Sequence, residues 1–210
     1  MINSLYIVVF TILFFIPEKL FADAYDVPKV VAIEGRKFTV AHDLAFSAGY
    51  LPLDAFNKSL IFNSSYTYFY KSFAGWEVAN VSVAFNQNTG LKNNLIDNFN
   101  AQPQGILDYY RWIASTNYVY TPIYSKNLIF NNRVVSSETS LLLGGGMVGF
   151  ISGDTAPMFG GGMINRYFFS HSSSLKLDAR LYYQTAPGKS SNVILSLGIG
   201  YSINFGSSEN

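Results

Sequence analysis

The chain has 210 residues, of which 17% are aromatic and 13% charged, with a net charge of +1 and no cysteine. A typical soluble protein carries about 25% charged residues. The absent cysteine excludes disulfides, thiol chemistry and lipoprotein acylation, and a charge this close to neutral gives no support to nucleic-acid binding.

The length allows one domain after removal of a leader. Residues Leu5 to Ile16 form an apolar run too short to span a bilayer but suited to the core of a signal peptide. Ala22-Asp23-Ala24 supplies a small-x-small cleavage pattern, so the expected signal peptide is 1–24. No Lys or Arg precedes the apolar core, and Glu18-Lys19 lies between core and cut; an uncleaved anchor is the alternative. Without residues 1–24 the net charge is +2. No later segment has the roughly 18 unbroken apolar residues that a membrane helix needs. High aromatic content, low charge and no spanning helix fit a membrane β-barrel, whose signal per strand is weak.

Residues 25–36 read as a periplasmic lead-in, 37–205 as the barrel and 206–210 as a tail. The first strand is expected over Lys37 to Tyr50, with Leu44, Phe46, Ala48 and Tyr50 on one face and Asp43, Ala45, Ser47 and Gly49 on the other. Successive residues of a strand face opposite ways, so such alternation marks two different surroundings. The second strand, Leu60 to Tyr70, aligns Tyr66, Tyr68 and Tyr70. The third, Trp76 to Asn86, puts Ala79, Val81, Val83 and Phe85 outward and Asn80, Ser82, Ala84 and Asn86 inward.

The longest connection, 87–111, is rich in Asn and Gln, and Gln104 to Tyr110 suits a turn or two of helix. A loop this long is often functional. The fourth strand, Trp112 to Ile123, turns Trp112, Ala114, Tyr118 and Tyr120 outward. A turn over 124–132 leads to the fifth, Val134 to Val148, with Thr139, Leu141 and Leu143 out and Glu138, Ser140, Leu142 and Gly144 in. The sixth, Met158 to Phe168, is glycine-rich and places Arg166 inside. The seventh, Leu175 to Tyr183, alternates Leu175, Leu177, Ala179, Leu181 and Tyr183 with Lys176, Asp178, Arg180 and Tyr182.

The closing strand, Asn192 to Phe205, alternates Val193, Leu195, Leu197, Ile199, Tyr201, Ile203 and Phe205 with mostly small or polar residues. Gly198, Tyr201, Ile203 and the terminal aromatic Phe205 resemble the sorting signal read by the outer-membrane insertion machinery. A soluble sandwich strand could alternate similarly. Eight strands put connections 51–59, 87–111, 150–157 and 184–191 on one side, outside the cell if the N-terminus is periplasmic. Connections 71–75, 124–132 and 169–174 lie on the other. Barrels of this class have short periplasmic turns and longer outer loops; turn 124–132 departs from that pattern. Tyr50, Tyr110 and Trp112 fall near outer strand ends. Tyr68, Tyr70, Phe73, Trp76, Tyr120, Tyr124, Phe168 and Phe205 fall near inner ends, as interfacial aromatics should. Trp76, Trp112, Tyr118 and Tyr120 are the candidate interface anchors.

Several short stretches carry a family likeness: Glu34-Gly35-Arg36-Lys37-Phe38, Leu53-Asp54-Ala55-Phe56, Tyr66-x-Tyr68-x-Tyr70 with Trp76-Glu77, Pro122-Ile123-Tyr124-Ser125-Lys126, and Gly144-Gly145-Gly146. In these the chain resembles the outer-membrane β-barrel domain family of the myxobacterial and predatory-bacterial type. That family usually has Tyr-Gly-Lys where this chain has Tyr124-Ser125-Lys126. The likeness implies an outer-membrane barrel and no catalytic residues.

The expected inward charges are Asp43, Glu138, Arg166, Lys176, Asp178 and Arg180. An eight-stranded barrel encloses only enough room for side chains, so these read as a paired network or, alternatively, as a gate for small ions. His171-x-Ser173 superficially fits a lipid-modifying His-Ser-acid set, but falls in a periplasmic turn with no acid beside it. His42-Asp43 splits across two faces, and His42 is expected at an exposed or interfacial position. Two His and no Cys make a poor metal site, and Asp97 and Asp108 are too sparse for a calcium cage. Gly144-Gly145-Gly146 and Gly160-Gly161-Gly162 sit in strands, where they suit close packing and curvature rather than phosphate binding.

The expected fold is all-β, an eight-stranded antiparallel transmembrane β-barrel in a Gram-negative outer membrane. The expected role is a structural or interaction platform acting through its outer loops, chiefly 87–111. A narrow channel is the alternative, and a lipid-modifying enzyme the third reading. No catalytic residue, cofactor or metal is expected. The expected partners are outer-membrane lipid, the insertion machinery and an envelope or surface protein.

Overall fold

The computed structural model describes residues 36, 38–52, 57–88, 98, 109–129, 133–185 and 193–206. The leader, nearly all of the lead-in, the helical turn within 104–110 up to residue 108, and most of connection 87–111 lie outside the described residues.

Eight strands follow in chain order: β1 (His42–Leu51), β2 (Asn57–Lys71), β3 (Ala74–Asn88), β4 (Tyr110–Ile129), β5 (Arg133–Phe150), β6 (Thr155–Phe168), β7 (Ser173–Gln184) and β8 (Val193–Phe205). Each pairs antiparallel with its neighbour, and β8 returns to β1, closing the barrel. From His42, the pairing runs through Tyr68, Trp76, Tyr118, Leu143, Gly161 and Leu181 to Leu195. His42 itself closes on Phe205, so the ring shuts with a stagger of ten residues. With strands ~4.8 Å apart and a rise of ~3.3 Å per residue, that stagger tilts the strands by roughly 40° and sets a backbone radius of roughly 8 Å. Such a bore holds side chains and little else.

The chain enters and leaves at one end, here called the entry end, which also carries the turns 72–73, 130–132 and 169–172. The far end carries connections 52–56, 89–109, 151–154 and 185–192. The connection 151–154 is tight: Gly153 has φ +95°, its N–H donates to the Phe150 carbonyl at 3.1 Å, and Phe150 N–H donates to the Asp154 carbonyl at 2.9 Å. A positive φ costs glycine nothing.

The alternation places side chains as the pattern predicts along β7 and β8. Lys176, Asp178, Arg180 and Tyr182 are buried inside, while Leu177, Leu181 and the alternate positions Val193, Leu195, Leu197, Ile199, Tyr201, Ile203 and Phe205 stand outside. Phe46, Phe62, Val81, Val83, Phe85, Leu143, Phe159 and Met163 continue this apolar outer face around the ring.

Three expectations are corrected. β1 begins at His42, not Lys37; Arg36 and Phe38–Ala41 precede it without strand structure. The expected turn over 124–132 is strand as far as Ile129. The β4–β5 hairpin pairs down to Ile129–Arg133, past the last β5–β6 pair at Ser136–Phe168. Tyr110 and Phe168 are not interfacial aromatics; both are buried inside the barrel.

Bulges shift the phase within the strands. Tyr66 pairs with Ala79 but Thr67 with Glu77, so Val78 is an extra residue, and Val78 and Ala79 both face outward. In β4, Tyr120 pairs with Leu141 but Ile123 with Thr139. Pro122 sits in that gap, where its missing N–H breaks no ladder bond.

Candidate functional site in the barrel interior

The interior is layered. Near the far end Leu51, Ile61, Tyr110, Ile113, Val148, Phe150, Ala156, Met158, Tyr182 and Ile194 form one apolar cluster. Near the entry end Val40, Phe69, Val119, Leu142, Ile164 and Phe168 form another, with Phe38 packed against it. Charged and amide side chains are threaded between and through these clusters. All six expected inward charges, Asp43, Glu138, Arg166, Lys176, Asp178 and Arg180, are buried here.

They form two groups. In the first, Arg180 grips Glu77 in a two-pronged pair: Nη1 donates to Oε2 at 3.1 Å and Nη2 to Oε1 at 3.0 Å. Asn80 Nδ2 donates to Glu77 Oε1 at 2.7 Å and Asn117 Nδ2 to Oε2 at 3.4 Å. The Tyr182 hydroxyl donates to Asn117 Oδ1 at 3.2 Å. Arg180 Nε also lies 3.6 Å from Asp178 Oδ1. This parallel geometry suits a planar guanidinium and a carboxylate. Glycines leave it room: a Cβ on Gly162 would stand 3.2 Å from Arg180 Cγ, and one on Gly198 3.0 Å from Asp178 Oδ1.

In the second group Asp43 is the hub. It receives close hydrogen bonds from Arg166 and from the Ser202 hydroxyl, and Lys176 Nζ lies 4.0 Å away. Lys176 also donates to Ser65 Oγ at 3.0 Å. Arg166 Nη1 stands 3.8 Å from Glu138 Oε2, and its guanidinium lies 5.1 Å from the Phe69 ring centroid and 5.8 Å from that of Phe168. Buried charges persist only when paired and hydrogen-bonded, and nearly every polar atom here has such a partner. The exceptions within the two groups are Arg166 Nε, Asp178 Oδ2 and Arg180 Nε.

Glu77 was invisible to strict alternation. With Asn80 and Ser82 inward, a period of two sends Glu77 outward; the Val78 bulge reverses it. The signal in the sequence is the adjacent apolar pair Val78-Ala79, which breaks the alternation. The same bulge interrupts the ladder beside Glu77. The Thr116 hydroxyl donates to the Glu77 carbonyl at 3.1 Å, and Trp76 Nε1 donates to Thr116 Oγ1 at 2.6 Å. An outward threonine on an apolar face is thus satisfied.

Outside, Trp76, Tyr118 and Tyr120 are exposed toward the entry end, while Trp112 is only partly so. His42 faces outward and is half-buried, stacked on Phe205 at 5.1 Å with Nδ1 2.9 Å from the Tyr66 hydroxyl. At the sorting-signal positions, Tyr201, Ile203 and Phe205 face outward on β8 and Gly198 inward. His171 is exposed in the entry-end turn, apart from both charge groups. No group of three or more His, Cys, Asp or Glu suited to a metal occurs among the described residues.

Neither a family model nor a curated protein matches the chain. Among solved structures it is similar to one described as "De novo design of transmembrane beta-barrels", at 10% identity and a TM-score of 0.38, covering 82% of this chain and all of that one.

Proposed function

We propose that this chain is an outer-membrane β-barrel of a Gram-negative envelope, exported by its leader and serving as a platform whose far-end loops meet a partner. The observation that carries this reading is the inside-out distribution of side chains. Charges lie within, and a continuous apolar face lies without. In water that arrangement would expose phenylalanine and leucine while burying arginine; in lipid both choices are favourable. Along β8, Val193 to Phe205 spans twelve steps, which at ~3.3 Å and a tilt of roughly 40° rise about 30 Å, the thickness of a bilayer's hydrocarbon. Aromatics at the entry end, Tyr70, Phe73, Trp76, Tyr120 and Phe205, fit an interfacial girdle. The resemblance to the myxobacterial-type barrel family points the same way.

The platform role rests on the filled interior. Ions crossing the barrel would have to part the far-end cluster of Ile61, Met158, Tyr182 and Ile194 as well as the Arg180–Glu77 pair. That favours an anchored scaffold over a channel, and leaves recognition to the loops, with 87–111 the longest. No enzymatic activity is proposed.

Heat-modifiability tests the placement. A folded barrel in purified outer membranes should migrate differently on a gel before and after boiling. A chain found only in the soluble fraction, with no boiling-dependent shift, refutes it. Deleting 90–108 should then abolish partner capture at the cell surface while leaving the gel shift intact. Ion conductance in a planar bilayer, lost on changing Glu138 or Arg180, would instead establish a channel.

A further inference from the structure

One interior charge is not carried by a strand. Arg36 arrives with the segment preceding β1, and its guanidinium is held at three points. Nη1 lies 3.7 Å from Glu138 Oε1, Nη2 donates to the Thr121 carbonyl at 3.2 Å, and the group sits 5.7 Å from the Tyr124 ring centroid. Two residues on, Phe38 stacks on Phe168 with centroids 5.2 Å apart. Two further on, Val40 is buried in the entry-end cluster. Residues 36, 38 and 40 thus fill the mouth together. Among the described residues, the strands without Arg36 supply four buried carboxylates, Asp43, Glu77, Glu138 and Asp178, against three buried cations, Arg166, Lys176 and Arg180. Arg36 makes the count even. Beside it a cavity of about 10 Å³ is lined by Arg36, Phe38, Val40, Phe69, Glu138 and Arg166, among others. Arg166 Nε, on a side chain buried to 4% exposure, has no partner.

We propose that the entry mouth is a guanidinium-binding site that the chain fills with its own Arg36. Its ligand class is an extended basic segment of the form Arg-x-aromatic-x-aliphatic. The socket suits guanidinium because one planar group reaches a carboxylate and a carbonyl while lying over a ring; a compact ammonium does not. The bound segment is held in cis, so a segment from another chain enters only by displacing Arg36, Phe38 and Val40. This inference depends on the entry end of the barrel alone and stands apart from the membrane placement.

The test empties the site in the full chain with Arg36→Gln, Phe38→Ala and Val40→Ser, and offers a fluorescent peptide Arg-Lys-Phe-Thr-Val, the chain's own sequence there. Anisotropy should report saturable binding to the emptied variant, at least roughly tenfold tighter than for the same peptide with Gln in place of Arg. The unaltered chain, already occupied, should bind the peptide more weakly by a similar factor. Equal affinity for the two peptides, or no saturable binding to a variant whose circular dichroism shows intact strands, overturns the proposal. If the triple variant fails to fold, Val40→Cys in this cysteine-free chain provides the second arm. Adding Arg36→Gln should speed its labelling by a soluble maleimide roughly tenfold, as the segment opens more often; an unchanged rate overturns the proposal.

Discussion

Removing one partner of the Arg180–Glu77 pair tests the interior most directly. Glu77→Gln keeps shape and amide-like hydrogen bonding toward Asn80 but removes the charge that Arg180 faces through bonds of 3.0 and 3.1 Å. Arg180 would be left buried with Asp178 at 3.6 Å as its remaining acid. Orphaning one member of a buried pair costs about 3–5 kcal/mol. Arg180→Met should cost a similar amount, because Glu77 then keeps only the neutral donors Asn80 and Asn117. The double variant removes both charges and should cost far less than the sum, with a coupling of at least ~2 kcal/mol. Urea unfolding in lipid vesicles, followed by tryptophan fluorescence, reads this out; Trp76 is adjacent to Glu77 and one of the chain's two tryptophans. Additive single costs, or a Glu77→Gln loss below ~1 kcal/mol, would refute the view that this pair holds the interior together.

Leu143→Arg, on an outward side chain that is 71% exposed, should destabilise a lipid-embedded barrel by ~2–4 kcal/mol in a vesicle refolding titration; in a barrel surrounded by water the same change would be harmless. Gly144→Ala should cost ~1–3 kcal/mol more than Gly145→Ala by urea midpoint, since its Cβ would stand 2.1 Å from the Thr116 carbonyl oxygen, against 3.0 Å from the Met158 carbonyl oxygen at the neighbouring position. Tyr182→Phe removes a hydroxyl that donates to Asn117 and lies 3.2 Å from Ser115 Oγ, and should lower stability by about 1 kcal/mol.

The strands that alternate cleanly were legible because each residue type matches one environment. Leu177 and Lys176 cannot exchange faces without burying one badly and exposing the other. Reading failed where that contrast lapsed. Ser125, Lys126 and Asn127 look like a turn because β4 has there run past its ladder with β3, whose last pair is Ala74–Tyr120, and neither face selects for apolar side chains. Phe38 and Val40 alternate as a strand would, yet they plug the mouth; an apolar residue fits either destination. Tyr110 is inward because Arg111 is an extra residue between the Phe150 and Gly149 pairings. Phe168 shares the phase of Arg166 and could have been assigned inward on that ground alone. Glu77 needed the bulge, and Arg36 needed the tertiary path, since no spacing rule ties it to Glu138, about a hundred residues away.

The polar interior and the apolar exterior share one origin in the alternation. A chain that spreads its apolar residues over every second position never presents a run long enough to span as a helix, and no described helix is long and apolar enough to do so. The same spacing sends the intervening residues inward, where a bore of roughly 8 Å radius leaves no room for bulk water. Charges placed there must find partners, and the two groups around Glu77 and Asp43 supply nearly all of them. An interior committed to pairing its own charges has little left with which to bind or transport. The two ends escape that constraint: the far end carries the long connections, and the entry mouth is closed by a segment no strand holds. It is at these ends that substitutions should change function without first unmaking the fold.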